Sequence, residues 1–326
     1  MKKILSLLVA MLLVFSCVAM AEVNYVDEGY NYPIAENPDG KEVRIAVLMV
    51  NNNPFWVDVE KGVDDITETM KKYNCTVDKQ TFEQFDGQTC AEAIDNCITM
   101  EYDVICTVGV SDAIIPAIDR ATEAGILVYT FNSDVSEECT RVAFHGQDLQ
   151  TSGALAGDTL AQLIGGEGKV AILTGLYSVP AHELRRNGGR SALEAYEGIE
   201  IVGEAETHDS GDEAYSEVRD FLTANPDLAG IYQTAGGQLG VIEALRELDP
   251  DHNVKFVCFD FMDEIVDALY DGFVDATIGQ DPYGQGADPV IFGYNAVITG
   301  EKEITGNEWT KMDVVTPENV AEYYPR

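Results

Sequence analysis

Short apolar runs alternate with longer amphipathic stretches along nearly the whole chain, and this alternation limits the possible folds more than any other feature. The run Val43–Val50 predicts a buried strand, and a helix is predicted from about 55 to 72. The other predicted strands cover 104–109, 126–131, 170–174, 199–203, 230–233, 254–260 and 276–278. Strands and helices in strict turn predict an α/β fold with parallel sheets covered on both faces.

The length of the chain predicts two lobes. It has 326 residues, and a single core stops growing beyond about 250–300 residues. Near-continuous apolar strands such as 254–259 are typical of parallel sheets, because such strands are buried on both sides.

The N-terminus predicts export. Lys2 and Lys3 precede an apolar stretch over 4–14. The small residues Ala19 and Ala21 follow it, at the position where a signal peptidase would cut. This pattern is typical of a signal peptide, residues 1–21, and the apolar stretch is shorter than the about 20 residues that span a bilayer. We expect a protein of the periplasm or the outer face of the membrane. A lipid anchor at Cys17 is the less favoured alternative.

Residues 22–41 carry turn formers without apolar periodicity, which predicts a flexible tether.

Charge and motifs exclude several classes of function. The formal net charge of −37 argues against a nucleic-acid partner, because phosphate binding depends on Lys and Arg. The sequence has no GxSxG motif, no P-loop and no GxGxxG motif after a strand. Its four histidines and its cysteines lack metal-ligand spacing. We therefore predict no enzyme activity, no cofactor and no metal. The pairing of Cys75, Cys90, Cys97 and Cys139 stays open.

Candidate binding residues follow the first predicted strand. Ligands of open parallel sheets bind beyond the carboxyl ends of the strands, and Asn53, Phe55 and Trp56 occupy that position. Flat aromatic faces beside an amide suit a sugar, which presents both C–H surfaces and hydroxyls. The alternative is that both aromatic residues begin an amphipathic helix and are buried.

Polar residues also follow later strands. Asn132 and Ser133 come after the third strand, and Asp260 and Gln280 come after later ones. Asp260 is either a ligand-binding carboxylate or the N-cap of the next helix. Arg185, near the start of a predicted helix, either is solvated or binds a hydroxyl or carboxylate with its forked guanidinium.

The order and spacing of these residues resemble a known family. Asn53-Pro54-Phe55-Trp56, Arg185 three residues before Gly188, Phe259-Asp260 and Gln280-Asp281-Pro282 are similar to motifs of periplasmic sugar-binding proteins of the ribose-binding type. The resemblance runs from about residue 43 to the C-terminus. It implies the type I periplasmic binding protein fold, with two Rossmann-like lobes joined by three crossovers. The N-terminal lobe would hold 42–145 plus 281–308, and the C-terminal lobe 146–280 plus 309–326.

The resemblance also implies a function. A monomeric receptor would close its lobes around a sugar or sugar-like ligand and deliver it to an ABC importer; the alternative is a sensory receptor that signals to chemotaxis or a membrane kinase. Asn53, Phe55, Trp56, Arg185, Asp260 and Gln280 would contact the ligand. Asn132-Ser133 replace an Asp-Arg pair of the ribose pattern, and Thr234–Gly237 replace its Asn-Asp pair. Ribose itself is therefore not implied, and another pentose, a hexose or a polyol stays open.

Overall fold

A computed structural model describes residues 23–51, 55–84 and 86–326. The predicted signal peptide over 1–21, the alternative anchor at Cys17 and the candidate residue Asn53 lie outside the described residues. Within the described ranges, no helix combines the length and the hydropathy that crossing a bilayer requires.

The described residues form fourteen strands. In chain order, they are β1 (Tyr25–Val26), β2 (Ile34–Ala35), β3 (Val43–Val50), β4 (Cys75–Phe82), β5 (Val104–Val108), β6 (Leu127–Phe131), β7 (Ala143–Gly146), β8 (Glu167–Thr174), β9 (Gly198–Glu206), β10 (Leu228–Gln233), β11 (Lys255–Phe259), β12 (Ala276–Ile278), β13 (Gly306–Trp309) and β14 (Val314–Val315).

The same residues form ten α-helices, along with two short 3-10 helices. The α-helices are α1 (Phe55–Met70), α2 (Gly87–Thr99), α3 (Ile115–Glu123), α4 (Leu149–Leu163), α5 (Pro180–Glu194), α6 (Gly211–Ala224), α7 (Gln238–Leu248), α8 (Asp263–Asp271), α9 (Pro282–Thr299) and α10 (Val320–Tyr323).

The first sheet has the strand order β13-β7-β6-β5-β3-β4, and all of its strand pairs are parallel. Ala46 of β3 lies opposite Ile105 of β5, and both are buried. Helix α1 packs against α9, and α2 packs against α3. The apolar run predicted as a strand over 43–50 is therefore a central strand with helices above and below it.

The second sheet has the strand order β14-β12-β11-β10-β8-β9. Its pairs are parallel except at the edge, where β14 runs antiparallel to β12. The helices α4 and α5 approach each other closely because glycines line their contact. A Cβ on Gly153 would lie 2.1 Å from the carbonyl oxygen of Arg185. This close approach fixes the backbone of α5 at Arg185.

The chain passes between the sheets three times, after β7, after β12 and after β13. Two parallel α/β lobes joined by three crossings are the predicted type I periplasmic binding protein fold, and the structure confirms that fold class. The carboxyl ends of the central strands of both sheets lead to the same cleft.

The prediction of a flexible tether over 22–41 needs correction. Strands β1 and β2 pair antiparallel, and Ile34 and Ala35 are fully buried in the core of the first lobe. Asn31 Nδ2 donates to Asp281 Oδ2 at 2.7 Å and to Asp288 Oδ2 at 2.9 Å. The segment therefore packs beside the second crossing. Periodicity did not reveal it because only one adjacent pair of apolar residues enters the core.

The six cysteines that the structure describes are unpaired thiols. Burial raises the pKa of Cys75 to about 12 and the pKa of Cys97 to about 11, so both stay protonated at neutral pH. Cys106 and Cys258 are buried in the strands of the two lobes, as their apolar surroundings in the sequence predict.

Candidate functional site

A cleft of about 260 Å³ lies between the two lobes. It brings together all of the predicted site residues that the structure describes, although they are spread over more than 220 positions of the chain. These residues are Phe55, Trp56, Asn132, Ser133, Arg185, Asp260 and Gln280. The eighth predicted residue, Asn53, lies outside the described part of the chain.

The first residues of α1 form an aromatic wall on the first-lobe side. Phe55 is partly exposed, whereas Trp56 is only 1% exposed, and their rings meet edge to face with centroids 5.5 Å apart. Trp56 belongs to the first-lobe core and also lines the cleft. The two alternatives from the sequence, core residue and cleft residue, therefore both hold for Trp56.

Asn132 and Ser133 continue the first-lobe side after β6. Asn132 adopts a left-handed backbone with φ +64°, which asparagine tolerates better than most residues. Its Nδ2 donates to Gln285 Oε1 at 3.0 Å, and Gln285 Nε2 donates to the carbonyl oxygen of Gln280 at 2.6 Å. Asn132 is thus linked through α9 to the second crossing.

Arg185 lies at the base of the second-lobe side and is 7% exposed, so the alternative of a solvated arginine is wrong. Its Nη2 donates to Gln147 Oε1 and to Gln280 Oε1, both at 2.7 Å. The guanidinium carbon lies 4.1 Å from the centre of the Phe259 ring. Burial lowers the pKa of Arg185 and the carboxylate of Asp260 opposes that shift, but an arginine stays charged in proteins. The side chain is therefore a fixed cation.

Asp260 accepts a hydrogen bond from Gln280 Nε2 at 2.6 Å. Helix α8 begins three residues later, and its N-cap is Met262, so the alternative of Asp260 as an N-cap is wrong. Its backbone φ is +77°, a strained value for aspartate. Burial raises the pKa of Asp260, while the charge of Arg185 and the hydrogen bond from Gln280 act in the opposite direction.

Gln147 and Gln280 link Arg185 to two of the crossings between the lobes. Gln147 follows β7, and its Nε2 donates to the carbonyl oxygen of Gly279 at 2.9 Å. Gln280 follows β12 and links Arg185 to Asp260. The polar groups of the second-lobe side are therefore attached to the segments that must bend if the lobes move.

The cleft also contains residues that the sequence did not single out as site residues. His182, Asp209 and Gln238 line it, together with apolar side chains such as Leu149 and Met262. Asp209 was missed because the apolar run of its strand ends near 203, whereas β9 continues to Glu206. His182 lies three residues before Arg185, so both side chains share one face of α5. This spacing could have indicated His182 as a second cleft residue on that helix.

The fold and the cleft define a class of protein, and comparison with known proteins agrees with it. Residues 45–302 match the family model described as a periplasmic binding protein domain. The chain belongs to this family, and the resemblance to periplasmic sugar-binding proteins of the ribose type is confirmed.

Curated relatives of this chain carry sugar-binding names. The xylose/arabinose-binding protein of Sulfolobus acidocaldarius is 25% identical over 90% of this chain and 76% of its own length. The ribose import binding protein of Escherichia coli is 26% identical over 82% of this chain and 89% of its own length. A D-allose-binding periplasmic protein of the same organism is 25% identical over 78% of this chain and 83% of its own length.

Two solved structures show the same architecture. An ABC transporter solute-binding protein from Burkholderia graminis in complex with D-arabinose has a TM-score of 0.79 and 27% identity, and the match covers 87% of this chain and 99% of that one. A periplasmic solute-binding protein from Actinobacillus succinogenes with bound D-allose also has a TM-score of 0.79. It is 25% identical, over 86% of this chain and the whole of that one.

Proposed function

We propose that this protein is an exported receptor that binds a neutral sugar or polyol between its two lobes and delivers it to an ABC importer. The observation that carries the proposal is the composition of the two sides of the cleft. An aromatic surface at Phe55 and Trp56 lies on one lobe, and hydrogen-bonding groups at Arg185, Asp260 and Gln280 lie on the other. A sugar ring needs both, because it has apolar C–H faces and a rim of hydroxyls.

The polar groups also supply a basis for selectivity. Gln280 and Arg185 hold each other in place through a 2.7 Å hydrogen bond, so they are ordered before a ligand arrives. A site built to hydrogen-bond hydroxyls rejects analogues that lack them, because its buried polar groups would then stay unpaired. Binding between the lobes favours the closed state, which a transport partner can recognise.

Relatives support the substrate class, since those named above bind xylose, arabinose, ribose or allose according to their names. A receptor role, without catalysis and as a monomer, is part of the proposal. The same closure would serve a sensory receptor, and the genes beside this one distinguish a permease partner from a membrane kinase.

A thermal-shift screen tests the proposed ligand class. The mature chain, residues 22–326, is heated with D-ribose, D-arabinose, D-xylose, D-allose, xylitol, myo-inositol, nucleosides and amino acids. A ligand that binds only the folded state raises the melting temperature, by an amount that grows with ligand concentration. We expect a sugar or polyol to do so. A response to a nucleoside or an amino acid alone would contradict the ligand class.

A further inference from the structure

His182 and Asp209 lie side by side on the second-lobe side of the cleft, and neither takes part in the hydrogen bonds between Arg185, Gln280 and Asp260. His182 is in the first turn of α5, and Asp209 is in the loop between β9 and α6. A Cβ on Gly175 would lie 2.5 Å from His182 Cε1 and 2.5 Å from Asp209 Oδ1. Glycine at this position therefore lets both side chains come together around one point.

The carboxylate of Asp209 is held in place by its surroundings. The backbone N–H of Gly236 donates to Oδ1 at 2.9 Å, and a Cβ on Gly236 would lie 2.8 Å from Cβ of Asp209. Asp209 and His208 both have left-handed backbones, with φ +56° and +51°. In the described part of the chain, Oδ2 of Asp209 accepts no hydrogen bond, so this side-chain oxygen is available to a ligand.

The imidazole of His182 has a defined tautomer. The backbone N–H of Leu176 donates to Nδ1 at 2.9 Å, so the proton of the neutral ring lies on Nε2. Burial lowers the pKa of His182, which keeps the ring neutral. Nε2–H has no hydrogen-bond acceptor among the residues described, and it is therefore a donor available to a ligand.

We infer that His182 and Asp209 form a subsite that recognises one hydroxyl group of the ligand, an inference that rests on the proposed function. The pair presents one donor, Nε2–H, and one acceptor, Oδ2. A hydroxyl is their complement because it both accepts and donates. An ammonium group has donors and no acceptor, so it would leave Nε2–H of His182 facing another donor.

This subsite narrows the proposed ligand class. A sugar or polyol that lacks a hydroxyl at this position leaves the Asp209 carboxylate and the His182 N–H desolvated without partners, which is unfavourable. The site is therefore expected to discriminate against the deoxy sugar at this one position, while Arg185, Asp260 and Gln280 recognise other hydroxyls.

The test uses substitutions that preserve the local structure. Asp209→Asn keeps an oxygen that accepts from Gly236, and asparagine tolerates a left-handed backbone. His182→Asn places an oxygen near the position of Nδ1 and removes Nε2–H. Asp212→Asn is the matched control, because Asp212 is exposed in the first turn of α6 and does not line the cleft.

Isothermal titration calorimetry of the mature protein first ranks D-ribose, D-arabinose, D-xylose, D-allose, xylitol and myo-inositol. The tightest of these and its monodeoxy analogues are then titrated into wild type and the three variants. We expect Asp209→Asn and His182→Asn to weaken the parent compound about tenfold or more, with the control unchanged. One deoxy analogue should bind wild type more weakly than the parent compound does. The Asp209→Asn variant should bind that analogue and the parent compound with about equal affinity.

The outcomes separate the inference from the proposed function. An Asp260→Ala variant is titrated beside the three variants, because Asp260 lines the same cleft. If a panel compound binds wild type and binds Asp260→Ala more weakly, but Asp209→Asn and His182→Asn bind it like the control, the inference is wrong and the proposed function stands. If Asp209→Asn and His182→Asn lose affinity for the parent compound and for every deoxy analogue by the same factor, His182 and Asp209 have a structural role. That outcome also overturns the inference. If no panel compound binds wild type, the proposed function itself fails.

Discussion

The two sides of the cleft differ in chemistry and in how they are attached to the fold. The described lining residues of the first lobe are aromatic or uncharged, and Trp56 among them is part of the lobe's core. The second-lobe side carries the charged groups Arg185, Asp209 and Asp260, which are held by hydrogen bonds. Truncation of Trp56 on the first side should therefore disturb folding together with binding, whereas truncation of a charged residue on the second side should mainly affect binding.

The largest effect on affinity is expected for Asp260→Ala. The substitution removes the acceptor of Gln280 Nε2 and a buried carboxylate that lines the cleft, and truncation of a buried charged group that hydrogen-bonds a ligand typically costs about 2–5 kcal/mol of affinity. We expect the affinity for the sugar or polyol identified by the screen to fall about 100-fold or more, as measured by calorimetry.

The matched control for that substitution is Asp263→Ala, which removes an exposed carboxylate at the start of α8. It should bind like wild type. Equal affinity of Asp260→Ala and Asp263→Ala would show that the charged side of the cleft does not hold the ligand.

Trp56→Ala should weaken both binding and folding. Truncation of a fully buried tryptophan typically lowers the free energy of unfolding by about 3–5 kcal/mol. Chemical denaturation of the unliganded protein measures this loss, and Trp309→Ala is the comparison because that tryptophan is 47% exposed. A Trp56→Ala protein with wild-type stability would contradict the shared role of this side chain in core and cleft.

Phe55→Ala should separate the two properties on the same side of the cleft. Phe55 is only partly buried, so its truncation should change the melting temperature less than Trp56→Ala does. Loss of the aromatic contact should weaken sugar binding about tenfold. Phe55→Tyr retains an aromatic ring, so its affinity for the sugar should be close to that of wild type. A loss of affinity in Phe55→Tyr as large as that in Phe55→Ala would argue against an aromatic contact.

The smallest expected effect concerns stability and pH. The pKa of Asp260 is raised in the folded protein, so the folded state binds this proton more tightly than the unfolded chain does. Stability is therefore lost as pH rises from the unfolded pKa of about 3.9 through the folded value, and the loss persists at higher pH. Asp260→Asn should then melt above wild type at pH 7, by roughly 2–4 °C per kcal/mol gained.

The difference between Asp260→Asn and wild type should shrink as pH falls toward 4, because the wild-type carboxyl then becomes protonated. Differential scanning calorimetry of the unliganded proteins at several pH values measures it. A difference in melting temperature that grew toward low pH would mean that the folded protein favours the charged carboxylate.

Much of the fold was predictable from the sequence because central parallel strands are buried on both faces. The run Val43–Val50 has no solvent-facing side, so its residues are apolar almost without interruption. Edge strand β9 is different, because charged residues such as Glu200 and Glu204 alternate with its apolar ones. Its end was therefore predicted too early, and Asp209 was not recognised as a residue at a strand end.

The site was predictable to the extent that its residues directly follow strands. Asp260 follows β11 immediately, and Gln280 follows β12 by two positions. Contacts between distant segments were not predictable from local pattern. Examples are the burial of Arg185 over Phe259 and the packing of Ile34 into the first lobe, which depend on how separate elements meet.

The most direct test of ligand binding between the lobes uses the fluorescence of Trp56. The chain has two tryptophans, and Trp309→Phe leaves Trp56 as the single reporter, in the wall of the cleft. Titration of this variant with the sugar or polyol that raises its melting temperature should give a saturable change in emission, with the same Kd as calorimetry. Binding heat without any change in Trp56 emission would place the ligand outside the cleft and contradict the account.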